Sequence, residues 1–167
     1  MADQTVDAED LARRNIVAEE ASTRDIAHLT FDGRITIWSF RMILRDETSA
    51  LRVQGQFYRV LSPKSARIAY DALNTIIMTI QNFGRKSLGF HSLYNTAISP
   101  DENLLLEVFN ASRNETPELT YQLAANLVGQ KHTKFLTQAV KMFKIALNSR
   151  NSNSTLINDD APTVSIH

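Results

Sequence analysis

Apolar and polar residues alternate over two segments of the chain, residues 34–45 and residues 50–61. Alternation over this length is typical of strands that bury one or both faces. In the second segment the predicted buried face consists of Leu51, Val53, Phe57 and Leu61. Asp32-Gly33, just before the first segment, is a dipeptide favoured in tight hairpin turns, whose central residues need positive φ. Together these features predict a small antiparallel sheet.

Two other segments have the spacing of amphipathic helices. Residues 63–83 follow Ser62, a good N-cap, and precede Gly84, which is expected to end the helix in the left-handed conformation. Residues 133–148 have one predicted core face: Phe135, Ala139, Met142, Phe143, Ala146 and Leu147. We therefore expect an α+β fold, in which helices pack on one face of the sheet and a C-terminal amphipathic helix closes the core.

The chain divides into an arm, a core and a tail. Residues 1–25 are predicted to form an acidic arm or helix, with a narrow apolar stripe for self-association: Leu11, Ile16 and Val17. Residues 26–148 are predicted to form one α+β core. Residues 149–167 are rich in Asn and Ser and lack periodicity, which predicts a disordered tail, so both termini are expected to be flexible.

Charge is segregated along the chain, although the net charge is zero. Residues 1–33 have a net charge of −5, residues 34–100 of +6, residues 101–130 of −4 and residues 131–150 of +5. Segments of opposite sign can bind anions locally or bind another copy of the chain. The alternative is that folding interleaves the charges and no charged surface survives.

The sequence contains no motif with the spacing of a catalytic, nucleotide or metal site. The four histidines are never three or four residues apart, the glycines form no phosphate loop, and there is no cysteine. Paired acids such as Asp101-Glu102 are expected in solvated turns. No apolar run is long enough to suggest a membrane span. We therefore expect a protein that is not an enzyme, needs no cofactor and is used in the cytosol.

The candidate binding residues are basic. Two follow the predicted helix 63–83, and four lie in or beside the helix 133–148, away from its predicted core face; they are Arg85, Lys86, Lys131, Lys134, Lys141 and Lys144. A basic amphipathic helix can lie on an anionic membrane, and its lysines can also bind nucleic-acid phosphates. The simpler alternative is a solvated helix face without a partner.

The segment "LRVQGQFYRVL", followed by "PKSARIAYDALNTIIMTIQNF" and "GRKSLGFHSLYNTAIS", resembles the core of rhabdovirus matrix proteins. The resemblance covers about residues 48–99 and is to the small matrix proteins of plant-infecting rhabdoviruses, in which a basic strand leads into a helix, a glycine-basic turn and an apolar strand. It places Arg85 and Lys86 at the basic turn and implies no catalytic residue.

The resemblance implies a virion structural protein that self-associates, condenses the viral nucleocapsid and links it to the inner face of the envelope for budding. Such a protein is found in the virion and the host cytoplasm and is attached peripherally to membrane. The alternative is a viral coat or nucleocapsid protein that binds RNA phosphates with the arginines of the two predicted strands, Arg41, Arg45, Arg52 and Arg59. A third class is a cellular adaptor that binds only protein.

Overall fold

The computed structural model describes residues 24–114 and 116–152, and helices dominate this part of the chain. Its six α-helices are α1 (Phe31–Arg45), α2 (Glu47–Val60), α3 (Pro63–Phe83), α4 (Pro100–Arg113), α5 (Pro117–Val128) and α6 (Thr133–Asn148). Short 3-10 helices cover Ile26–His28, Gln130–His132 and Ser149–Ser152. The described residues contain one isolated β-bridge, between Asp25 and Ala97, but no strand. The predicted α+β fold with an antiparallel sheet is therefore wrong.

The predicted hairpin and first strand belong to α1. Thr30 caps this helix, and its Oγ1 accepts a hydrogen bond of 3.2 Å from the Gly33 amide. Asp32-Gly33 thus lies in the first helical turn. The core covers α1 on more than one side, so that both Ile37 and Phe40 are buried. A helix that is buried on several sides has apolar residues at both odd and even positions. The same sequence pattern is expected of a strand that is buried on both faces.

The predicted second strand belongs to α2. Asp46 caps α2 by accepting a hydrogen bond of 2.8 Å from the Ser49 amide. Val53 and Phe57 are fully buried one turn apart, whereas Leu51, predicted on the same face, is 71% exposed. A spacing of four residues fits one face of a strand and one turn of a helix equally well. The resemblance to the matrix-protein core therefore loses its opening strand, and it also loses its closing apolar strand, because the described residues contain no strand.

The core forms where α2, α3, α4 and α6 meet. α3 and α6 pack along each other more extensively than any other pair of described helices. The Phe143 ring of α6 lies 5.9 Å from the Phe57 ring of α2 and 5.5 Å from the Phe109 ring of α4, measured between centroids. These aromatic contacts fix α6 by one face and leave its opposite face outside the core.

Two glycines end helices for different reasons. Gly84 after α3 has φ −58°, so the predicted left-handed cap is wrong. Its amide instead donates to the Ile80 carbonyl, and a Cβ here would lie 2.5 Å from that oxygen. Gly84 is thus required by a close backbone approach. Gly129 after α5 does have positive φ, at 75°, where L side chains are strained.

A buried ion pair holds the connection 84–99 between α3 and α4. Arg41 on α1 donates from Nε to Glu102 Oε1 at 2.6 Å and from Nη2 to Oε2 at 2.8 Å. The guanidinium also donates to three main-chain carbonyls of the connection, those of Ser92, Asn95 and Ala97. One arginine from the core therefore fixes a segment that has no helix of its own.

Glu102 also caps α4. Its Oε2 accepts from the Ser99 amide at 2.8 Å, and the Ser99 hydroxyl accepts from the Glu102 amide at 3.1 Å, which forms a capping box. Its Oε1 accepts from the His91 amide at 3.3 Å. Glu102 is fully buried, so the expectation of a solvated acid in a turn is wrong for this residue.

Candidate anion-binding surface

The helical body, by which we mean the described residues 24–114 and 116–152, is strongly basic, although the whole chain is neutral. The described residues include sixteen Lys and Arg but nine Asp and Glu, a net charge of +7. Residues 1–23 contain six acids and two bases, a net charge of −4. The described residues therefore carry an excess of positive charge, and residues 1–23 hold part of the compensating negative charge.

Lys86, next to Arg85 in the chain, is paired with a carboxylate. Its Nζ is 2.8 Å from Asp101 Oδ1 at the start of α4, and Asp101 Oδ2 accepts from the Gly89 amide at 2.7 Å. The ammonium thus has a carboxylate partner that is itself fixed by the connection 84–99. We attribute to Lys86 a role in attaching this connection to α4.

Arg85 lies beside the turn that carries Lys131. The Arg85 amide donates to the Leu127 carbonyl at 2.9 Å, and its side chain lies against Gly129. At the same end, the Phe83 ring stacks on the His132 ring with centroids 3.8 Å apart. The fold therefore brings Arg85 to the start of α6.

The side of α6 that faces away from the core is both basic and apolar. We call it the α6 outer surface and define it as Lys131, Lys134, Phe135, Lys141, Met142 and Ile145, all of which are exposed. Phe135 is 68% exposed, Ile145 52% and Met142 36%. The prediction that Phe135 and Met142 belong to the core is wrong. Leu136 and Val140, absent from the predicted core face, are fully buried in their place.

A groove of about 550 Å³ lies between the end of α4, the start of α5 and α6. We call it the α4–α5–α6 groove; its lining includes Arg113, Thr116, Thr120, Gln138, Lys141 and Lys144. Sequence reasoning missed Arg113, because a base in the last turn of a helix is commonplace. Only the packing of α4 on α6 brings it to the two lysines.

Lys144 is the unusual base of this groove. Its Nζ is shielded from water and has no hydrogen-bond partner among the described residues. Burial, together with the nearby Arg113 charge, lowers the pKa of Lys144 from 10.5 to about 8, against a smaller opposing attraction from Asp32. A shielded ammonium without a partner is costly. The arrangement can accept an anion.

Leu11, Ile16 and Val17, predicted to mediate self-association, lie outside the described residues. Of the predicted disordered tail, Ser149–Ser152 form a 3-10 helix. Within the described ranges, no helix is long and apolar enough to cross a membrane, and no group of three or more metal-ligating side chains could hold an ion.

Comparison with known proteins gives no relative. No family model, curated protein or solved structure matches the chain.

Proposed function

We propose that the protein is a viral structural protein of the matrix type. In this proposal it self-associates, condenses the nucleocapsid and attaches to the inner face of the envelope through the α6 outer surface. The proposal is supported by the excess positive charge of the helical body and by the composition of this surface. The helix α2 and the absence of any strand among the described residues remove both strands of the resemblance, so the proposal depends on the α6 outer surface.

The α6 outer surface carries the proposal because it combines exposed lysines with exposed apolar side chains. A helix that lies on a membrane needs both, since its apolar residues enter the acyl boundary and its bases meet anionic headgroups. Phe135 is 68% exposed. For a side chain of roughly 200 Å², covering that fraction contributes about 3 kcal/mol at about 25 cal/mol per Å². Each lysine near an anionic surface adds about 1 kcal/mol.

The second candidate function is RNA coating, and the charge of the helical body favours it. A net charge of +7 on the described residues attracts any polyanion. Binding to RNA by lysines and arginines releases counterions, so the affinity would fall steeply with added salt. Exposed apolar residues on α6 are not required for that mode of binding.

The test is flotation of the full chain with vesicles that contain anionic phosphatidylserine or only neutral phosphatidylcholine. The variant Lys131→Gln, Lys134→Gln, Lys141→Gln removes three bases from the α6 outer surface. At about 1 kcal/mol for each base, the expected loss of vesicle affinity is about 100-fold.

The matched control is Arg52→Gln, Arg59→Gln, Lys64→Gln, which removes three exposed bases from α2 and the start of α3. We expect it to bind vesicles nearly as well as the unchanged chain. Equal losses in the two triple variants would show that only total charge matters and would refute a specific surface. Salt-sensitive RNA binding without vesicle binding would favour the RNA-coating function.

A further inference from the structure

We infer that the α4–α5–α6 groove is a binding site for a single phosphate group, of the kind that a lipid headgroup exposes. This inference rests on the proposed function and deepens it, because it names the chemistry of one contact between protein and membrane. The α6 outer surface would supply general attraction, and the groove would supply recognition.

An excess of positive charge along the groove is the first argument. Arg113, Lys141 and Lys144 line one groove, and no Asp or Glu is among its described lining residues. Elsewhere in the described residues, the buried Arg41 is paired with Glu102 and the exposed Lys86 with Asp101. Three cations gathered without a carboxylate repel one another, and a bound dianion relieves that repulsion.

The start of α5 is the second argument. Thr116, Pro117, Thr120 and Tyr121 line the groove. Thr116 makes no capping hydrogen bond to the first turn of α5, and its hydroxyl donates instead to the Ala111 carbonyl. Among the described residues, the first-turn amides of α5 therefore have no side-chain acceptor, and the positive end of the helix dipole lies at the groove. Helix starts of this kind favour phosphate.

The position of Lys144 is the third argument. Two charges act on its ammonium: Arg113 on α4 repels it, whereas Asp32 at the start of α1 attracts it. Lys144 lines the groove, and rotation about the outer bonds of its flexible side chain can bring Nζ to a ligand there. A bound anion would give the ammonium the partner that it lacks among the described residues.

The rim of the groove favours a lipid source for the phosphate. Tyr121 is 43% exposed and Ile145 52% exposed, and both belong to the groove. Ile145 is also part of the α6 outer surface, so the groove opens beside the residues proposed to enter the acyl boundary. A headgroup phosphate at a membrane surface would meet the groove in that orientation.

The first experiment uses inorganic phosphate and follows the Lys144 side chain of the full chain by NMR at constant ionic strength. Without phosphate, we expect the Lys144 pKa near the depressed value of about 8. Saturating phosphate should raise that pKa, because the anion stabilises the ammonium. An unchanged Lys144 titration at high phosphate concentration would overturn the inference, whether or not the protein binds vesicles.

A pair of double variants separates the groove from general charge. Arg113→Gln, Lys141→Gln should weaken phosphate binding at least about tenfold by calorimetry, since two charge-assisted contacts are lost. Lys131→Gln, Lys134→Gln removes the same charge near the start of α6 and should leave phosphate binding nearly unchanged. Equal weakening in both variants would mean that phosphate binds diffusely.

Vesicles test the source of the phosphate. Phosphatidic acid exposes a phosphate monoester, whereas phosphatidylserine at equal vesicle charge does not. The unchanged chain should prefer phosphatidic acid, and Arg113→Gln, which leaves the α6 outer surface intact, should lose that preference while still binding phosphatidylserine vesicles. If neither lipid binds, the proposed function fails while the NMR result still decides the phosphate site. Groove-dependent binding of RNA without a lipid preference would overturn the lipid assignment.

Discussion

Replacing Glu102 with Gln should destabilise the helical body more than its small change in shape suggests. The carboxylate accepts two hydrogen bonds from Arg41, one from the Ser99 amide and one from the His91 amide. A Gln amide would present an NH₂ group to at least one of these donors. Arg41 would also keep its charge inside the core without a carboxylate partner.

The expected loss follows from the burial of the pair. Both side chains are almost inaccessible to water, at 1% and 0% relative exposure. Removing one partner of such a pair typically costs about 3–5 kcal/mol, because the other charge is left uncompensated. Domains are stable by only about 5–15 kcal/mol. At about 4 °C for each kcal/mol in a body of this size, we expect the melting temperature to fall by about 15 °C.

Thermal unfolding followed by circular dichroism measures this loss, and Glu107→Gln is the control. Glu107 lies on the same helix, is exposed and accepts one hydrogen bond, from Asn103. An exposed change of this kind should alter stability by no more than about 0.5 kcal/mol. Amide hydrogen exchange should also accelerate in the connection 84–99 of the Glu102 variant. If the two variants melt within about 2 °C of each other, the buried pair does not stabilise the fold as argued.

Two further predictions concern other parts of the chain. Asp46→Ala should lower the melting temperature at pH 7, because hydrogen bonds from Thr48 and Ser49 lower the pKa of Asp46 from 3.8 to about 2. The stabilisation of the fold by the ionised carboxylate is present above pH 3.8 and is lost as the pH falls towards 2. The difference in melting temperature from the unchanged chain should therefore vanish near pH 2. Deleting residues 1–23 should weaken self-association in sedimentation experiments, because the charge of −4 on these residues attracts the basic body of another copy. Added salt should weaken the self-association of the unchanged chain by screening this attraction. A self-association constant that neither the deletion nor salt alters would contradict a role of residues 1–23 in self-association.

Caps and apolar spacing in the sequence were sufficient to predict some helices but suggested strands in place of others. Ser62 caps α3 by accepting from the Ser65 amide, and the apolar positions that follow repeat only with helical spacing. In α2, by contrast, Val53, Phe57 and Leu61 are four residues apart, which is compatible with both periods. The cap that favours the helix, Asp46, lies outside the segment in which the alternation was read.

The candidate site was predictable only where its residues are close together in the sequence. The bases of α6 follow each other along the sequence, and the prediction placed them on one helix away from the core. Arg113 lines the same groove as Lys144 because α4 packs against α6. Lys86 forms an ion pair with Asp101 because the connection 84–99 brings the two side chains together. Neither contact leaves a periodic signal. Phe135 is exposed because the core partners of α6 occupy the arc around Leu136 and Val140.

The way in which Arg41 holds the connection 84–99 determines what kind of change this segment tolerates during divergence. Its guanidinium binds carbonyl oxygens of Ser92 and Ala97, and every amino acid supplies such an oxygen. Exchanging either side chain leaves the contact in place, whereas an insertion or deletion between them shifts the oxygens away from the guanidinium. We therefore expect residues 92 and 97 to vary in composition among distant homologues, while the number of residues between them stays fixed.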